Sequence, residues 1–324
     1  MKAPLRAREL GASGIAVSSI GLGCNNLGGL IDAAASRKVV YKALDLGITL
    51  FDTANSYGDR HGSASGSESS LGELLGPRRK SIFLATKFGN PRKTNDDGQP
   101  EGGSRRDIVA ALEGSLKRLR TDWIDLYQIH HPDPRTPIEE TLRALDELVC
   151  AGKVRHIGCS NFPAWQAVEA QWTSRSAGMS AFITCQNEYS LLARGVEREL
   201  IPAMERYGLG LLPYFPLACG LLTGKYTRES VPEGSRLARL ERLANVYLTE
   251  RNWLITERLK TFCMERGRSL LELAFSWLLA RATVASVIAG ATTPEQVEAN
   301  VRAGGWALTE QDLARIDELT AQGA

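Results

Sequence analysis

Two kinds of apolar run alternate along this chain. Short runs of strand character lie at Ser18 to Gly23, Ile48 to Phe51, Ser81 to Phe88, Trp123 to His131, Arg155 to Cys159, Phe182 to Cys185, Gly208 to Leu212 and Ala285 to Ala289, most bounded by turn residues. Helical periodicity fills most of the gaps. Ser36 to Leu46 sets Val39, Val40, Ala43 and Leu44 on one face and meets Gly47 as a stop; Glu68 to Leu75 closes on Gly76-Pro77. Ser104 to Leu119 is amphipathic, and Thr136-Pro137-Ile138-Glu139 reads as a capping box opening a helix that runs to Gly152. Helices are also expected over Trp253 to Gly267, Leu270 to Ala280 and Gln311 to Thr320, and from a second capping box at Thr293-Pro294-Glu295-Gln296. Before all of this, Arg8 to Val17 reads as a hairpin around Gly-Ala-Ser-Gly. Repeated strand–helix units imply parallel strands, and eight of them favour a closed (β/α)8 TIM barrel with an N-terminal β-hairpin, one domain over 1–324.

In such a barrel the chemistry lies at the C-terminal strand ends. The run from Ile48 delivers Asp52, and the loop after it presents Tyr57 beside Gly58. Taken alone, Asp52 could cap a turn and Tyr57 could be a loop aromatic. Two later strands change that reading, because one ends in Lys87 and the next in His130. A lysine cation beside a phenol favours the phenolate, an aspartate keeps the lysine charged, and a histidine can hold a carbonyl oxygen. Asp52, Tyr57, Lys87 and His130 together suit proton donation to an oxygen on which negative charge develops, as in hydride addition to an aldehyde or ketone. Other strand ends carry Ser160-Asn161, Gln186-Asn187 and Pro213-Tyr214. Residues 89–103, GNPRKTNDDGQPEGG, form the longest polar interruption, either bordering a substrate site beside Lys87 or making a surface excursion.

Composition narrows the classes. The 324 residues are 43% hydrophobic and 23% charged, with a net charge of +2 spread among acids, so no nucleic-acid stripe or membrane-binding tail is indicated. No run is long enough for a secretory leader or a membrane span, which points to the cytoplasm. Six scattered cysteines without CxxC spacing fit reduced thiols, and no metal site is expected. Gly21, Gly23, Gly28 and Gly29 do not make a dinucleotide fingerprint, since Asn26 stands where a third glycine belongs. Gly220 to Lys225 is one residue short of a P-loop.

FDTANSYG, LATKFG, LYQIHHPDP, IGCSNF, YFPLACGLLTGKY and VIAGATTPEQVEAN occur in that order, and with them nearly the whole chain resembles an aldo-keto reductase. Within that family it looks closest to bacterial reductases related to the voltage-gated potassium channel β-subunits. The resemblance implies an NADPH-dependent reductase of small carbonyl compounds with Asp52, Tyr57, Lys87 and His130 as its catalytic tetrad. It implies that Ser160, Asn161 and Gln186 hold the nicotinamide carboxamide and that Tyr214 stacks on the ring. Pro216, Leu217, Gly220 and Leu222 would line the pyrophosphate path, with Lys225 and Arg236 at the 2′-phosphate. Gly290, Thr292, Gln296 and Asn300 would take the adenosine end, and Cys24, Asn25, Asp52 and Phe215 join the cofactor set. Phe215 replaces a small hydroxyl residue common in the family, and Ala299 an acid that often meets adenine. The rival that the same resemblance raises is a redox-sensing regulatory subunit; the histidine at 130 favours the enzyme.

Overall fold

The computed structural model describes residues 5–58, 66–94 and 98–321. Two short strands, β1 (Ala7–Glu9) and β2 (Ala16–Ser18), pair antiparallel as the expected hairpin. Eight parallel strands follow: β3 (Ile20–Gly23), β4 (Leu50–Asp52), β5 (Phe83–Phe88), β6 (Ile124–Ile129), β7 (Val154–Ser160), β8 (Phe182–Gln186), β9 (Gly210–Leu211) and β10 (Val287–Gly290). Each pairs with its neighbour in sequence, and β10 pairs with β3. The ring is closed beside β9, where Leu211 N–H donates to Thr283 and Ala285 N–H donates to Leu211. The (β/α)8 barrel expected from the sequence is therefore the fold.

Two layers of apolar packing hold it. Strand side chains and the surrounding helices make the larger core. Inside the barrel, Leu50, Ala85, Leu126, Leu212, Ala285 and Ile288 pack with Leu10 and Val17 of the hairpin, so the hairpin plugs the N-terminal end. Its turn sits so close to β9 that a Cβ on Gly11, at φ +59°, would fall 2.2 Å from the Gly208 carbonyl. Only glycine fits there. The plug leaves the opposite end of the barrel as the open one.

Helices α1 (Ala33–Asp45), α2 (Gly66–Leu75), α3 (Arg105–Leu119), α4 (Ile138–Cys150), α5 (Ala164–Ala177) and α6 (Leu200–Tyr207) alternate with the strands. After β9 come the short α7 (Arg236–Arg239) and α8 (Glu241–Tyr247), then α9 (Glu250–Met264) and α10 (Leu270–Leu279). The chain ends in α11 (Pro294–Ala303) and α12 (Glu310–Ala321). Two expected capping boxes are not formed. At α4 the cap is Pro137 with no side-chain bond, because the Thr136 hydroxyl turns away to Asp133. At α11 Thr293 does cap the helix, but Gln296 reaches past it to the Thr292 N–H and hydroxyl. A complete capping box occurs instead at Ser269 and Glu272, opening α10.

Candidate active site

Strand register brings the ionisable residues together. Asp52 ends β4 level with Ala85 of β5, and Lys87 lies two residues further along β5, level with Gln128 of β6. Ser160 and Gln186 end β7 and β8 as direct register partners. All five side chains are buried. Lys87 Nζ donates to Asp52 Oδ2 at 2.6 Å and to the Thr53 carbonyl at 2.9 Å, and it stands 3.4 Å from the Tyr57 hydroxyl. The other aspartate oxygen accepts from Gln186 at 2.9 Å and from Gln128 at 3.3 Å. A buried ion pair persists only when its remaining lone pairs and protons are met, and here two amide donors on Asp52 and the Thr53 carbonyl accepting from Lys87 hold the pair in one geometry.

His130 follows β6, its N–H bonded to the Phe88 carbonyl, and its ring stands edge-on to Tyr57 with centroids 5.7 Å apart. Asn161, at φ +61°, donates to the His130 carbonyl at 2.8 Å and accepts the Tyr214 hydroxyl at 2.7 Å. Ser160 Oγ donates to the Gln186 carbonyl. His130 Nδ1 is buried without a partner. An unpaired buried nitrogen at a cleft floor costs free energy and marks a place for a ligand atom.

Electrostatics set the protonation states. Burial raises the Tyr57 phenol above its ordinary range, and the Lys87 cation pulls it down without cancelling that effect. The phenol therefore carries its proton at neutral pH; the lysine limits the rise and does not reverse it, a smaller effect than the sequence argument expects. Burial also pulls Lys87 down, yet Asp52 and Tyr57 together leave it above the ordinary ammonium value. His130 is held well below 6.5 by burial, then by Lys87, His131 and Arg92, so its ring is neutral.

A cleft of about 1080 Å³ runs from this cluster across the open end of the barrel. Asp52, Tyr57 and His130 line it, as do Asn25, Ser160, Asn161, Gln186, Tyr214, Phe215, Pro216, Leu217, Gly220, Lys225, Arg236, Gly290, Thr292, Gln296 and Asn300. Lys87, Cys24 and Leu222 are buried behind the lining. Part of the cleft wall is strained backbone. Among the described residues five non-glycines have positive φ, and Asn161, Phe215 and Cys219 are three of those five and line the cleft, with Ala218 between the last two. Such strain concentrates where backbone is shaped for a ligand. Arg236 bonds Asn26 Oδ1 at 3.2 Å and lies 5.6 Å over the Phe215 ring, so the bulky Phe215 seats a cation at the rim.

Several lining residues escaped sequence reasoning: Asn26, Arg92, Arg239, Arg242 and Tyr247. The Arg239 and Arg242 spacing from Arg236 is three and six residues, a visible stripe in RLARLER. Asn90 of the long polar loop bonds Ser56 at 3.0 Å and lines the cleft, so its described part borders the site. No group of three or more metal-ligating side chains occurs among the described residues.

Asp52, Lys87 and His130 at or just past strand ends, with Tyr57 in the loop beside them, thus gather at one end of a long cleft in a (β/α)8 barrel. The chain belongs to the aldo/keto reductase family, whose pattern it matches over residues 19–321. It is 38% identical to the uncharacterized oxidoreductase YrpG of Bacillus subtilis, covering 96% of this chain and 94% of that one. It is 35% identical to the L-glyceraldehyde 3-phosphate reductase of Escherichia coli (strain K12), over 98% and 93% of the two chains. A probable voltage-gated potassium channel subunit beta of Oryza sativa subsp. japonica is 36% identical, over 92% and 91%.

Proposed function

We propose that this chain is an NADPH-dependent carbonyl reductase in which Tyr57 is the general acid. The observation that supports it best is Lys87 Nζ, fixed on Asp52 and 3.4 Å from a phenol that opens onto the cleft. A bound reduced nicotinamide supplies the hydride to the carbonyl carbon. Tyr57 gives its hydroxyl proton to the carbonyl oxygen as negative charge develops there, and Lys87 stabilises the phenolate left behind. His130, neutral and facing the same space, orients that oxygen by a hydrogen bond.

The cleft suits a dinucleotide phosphate along its length. Gln186 spends its amide N–H on Asp52, leaving its carbonyl oxygen for the N–H of a carboxamide, while Ser160 and Asn161 stand beside it. Tyr214 offers a ring face. Pro216, Leu217, Gly220 and Leu222 would shape the pyrophosphate path and Lys225 and Arg236 would read the 2′-phosphate. Gly290, Thr292, Gln296 and Asn300 would hold the adenosine end, where the N-terminus of α11 favours an anion. Relatives named as probable channel β-subunits favour a second reading, a redox-sensing subunit. Turnover of a panel of aldehydes and ketones, followed by loss of NADPH absorbance, separates the two; no turnover on any carbonyl would leave only the sensor.

A further inference from the structure

Three polar residues at the catalytic end of the cleft are not used by proton transfer or by the cofactor set. Asn90, Arg92 and His131 line the wall next to Tyr57 and His130. His131 follows β6, and the segment after β5 that carries Asn90 and Arg92 is anchored. Glu101 is buried and accepts the Gly89 N–H at 2.6 Å and the Asn55 amide at 2.8 Å, while Lys93 pairs with the same carboxylate at 2.9 Å. Asn90 is tied to Ser56, and its Oδ1 accepts the Arg92 N–H at 3.1 Å. The turn thus sets Arg92 on the cleft wall rather than leaving it to wander in solvent.

Arg92 is exposed and pairs with no carboxylate among the described residues. Among the described residues, the acids of the strand ends and loops at this end of the barrel are engaged elsewhere: Asp52 with Lys87, Glu101 with Lys93, Asp133 with Arg135, and Glu188 with the Tyr247 hydroxyl. Arg92 is nonetheless close enough to help depress the pKa of both His130 and His131. The two imidazoles stack 5.0 Å apart, so His131 stands in the same space with a neutral ring. A guanidinium without a carboxylate partner among the described residues, an amide and an imidazole on the same wall as Tyr57 make a pocket for an anionic oxygen group.

We propose that Arg92, Asn90 and His131 form an anion subsite beside His130, and that the preferred substrates are short aldehydes carrying a phosphate or a carboxylate. This rests on the reductase reading above. Arg92 acts here as a specificity residue and takes no part in bond making. The anion on Arg92 leaves the carbonyl at the other end of a short chain to reach Tyr57 and His130.

The test compares kcat/KM, at saturating NADPH, within two matched pairs: glyceraldehyde 3-phosphate against glyceraldehyde, and succinic semialdehyde against butanal. The wild type should prefer at least one anionic member by about tenfold or more. A charge-assisted bond lost to Arg92→Ala should cut kcat/KM for that member about ten- to a hundredfold more than for its neutral partner, mainly through KM, with Arg92→Lys recovering part of the loss. The pair that responds tells phosphate from carboxylate. Reduction of the neutral aldehydes without preference for either anion, or equal losses on both members in Arg92→Ala, would overturn the subsite and leave the reductase standing. Failure to reduce any of the four would instead strike the reductase reading itself.

Discussion

Lys87 Nζ lies between two acids of different strength, 2.6 Å from the Asp52 carboxylate and 3.4 Å from the Tyr57 hydroxyl. The first contact keeps the lysine charged in a fully buried place; the second makes its charge felt by the phenol. Lys87→Met removes both. Leaving Asp52 without its cation costs stability on the order of 3 to 5 kcal/mol, toward the low end because Gln128 and Gln186 still donate to it. The phenol loses the one cation that lowers its pKa, so that pKa rises further. In alcohol oxidation, where the phenolate takes the proton, activity climbs with pH; the variant should climb later and reach less. A pH–rate profile of unchanged shape would make Lys87 structural.

His130 provides a pH test of its own. Its pKa lies well below 6.5, so the neutral ring persists through the neutral range and gains a proton only as pH falls far under that value. Carbonyl reduction should show no inflection from this imidazole around pH 6.5, only an acid limb lower down. The sign for stability agrees: the unfolded chain takes up the proton first, so folded His130 contributes stability that is present above 6.5 and is lost as pH falls below it. Tm measured down from neutral pH should therefore fall less steeply in His130→Gln. An equal slope would contradict the assigned environment.

Arg236 sits at the cleft rim on Phe215 and Asn26. If it reads a 2′-phosphate, Arg236→Ala should weaken NADPH by about 1.5 to 3 kcal/mol, roughly ten- to a hundredfold, and barely change NADH. Because the rim is part-exposed, the difference should shrink as salt rises. Fluorescence titration with both cofactors decides it, and equal losses would show that this segment does not discriminate.

Gly72 reports on packing far from the chemistry. A Cβ there would lie 2.1 Å from the Arg118 carbonyl where α2 crosses the end of α3. Alanine is the better helix former, yet Gly72→Ala should lower stability by about 1 to 3 kcal/mol because backbone must give way. Thermal unfolding measures it; a raised Tm would mean that the helices separate freely.

Much of this was legible in the sequence for one physical reason: parallel strands buried on both faces read as short apolar runs, and their C-terminal ends are where a side chain meets the cleft. Asp52, Lys87 and His130 were visible as ionisable residues closing such runs. β9 was harder to bound, since Gly210–Leu211 is only two residues and the ring is completed by bonds to Thr283 and Ala285. Capping boxes were misjudged because Asp133 competes for Thr136 and Thr292 for Gln296, and such competition is tertiary or conformational detail that spacing does not carry. Arg92 lies in a polar stretch that the sequence leaves open between a site border and a surface excursion, and Arg242 in a charged run that reads as a solvated helix face; only the fold brings both to one cleft. The balance of burial against Lys87 at Tyr57 also depends on depth, which no pattern reveals.

The central claim is that Tyr57 donates the proton, and one comparison tests it most directly: NADPH consumption with an aliphatic ketone by wild type and by Tyr57→Phe, beside NADPH binding by each. General acid catalysis contributes about 10²- to 10⁴-fold, so the variant should bind NADPH nearly as before and lose activity by at least that lower factor. Retention of more than about a tenth of the wild-type rate would contradict the account.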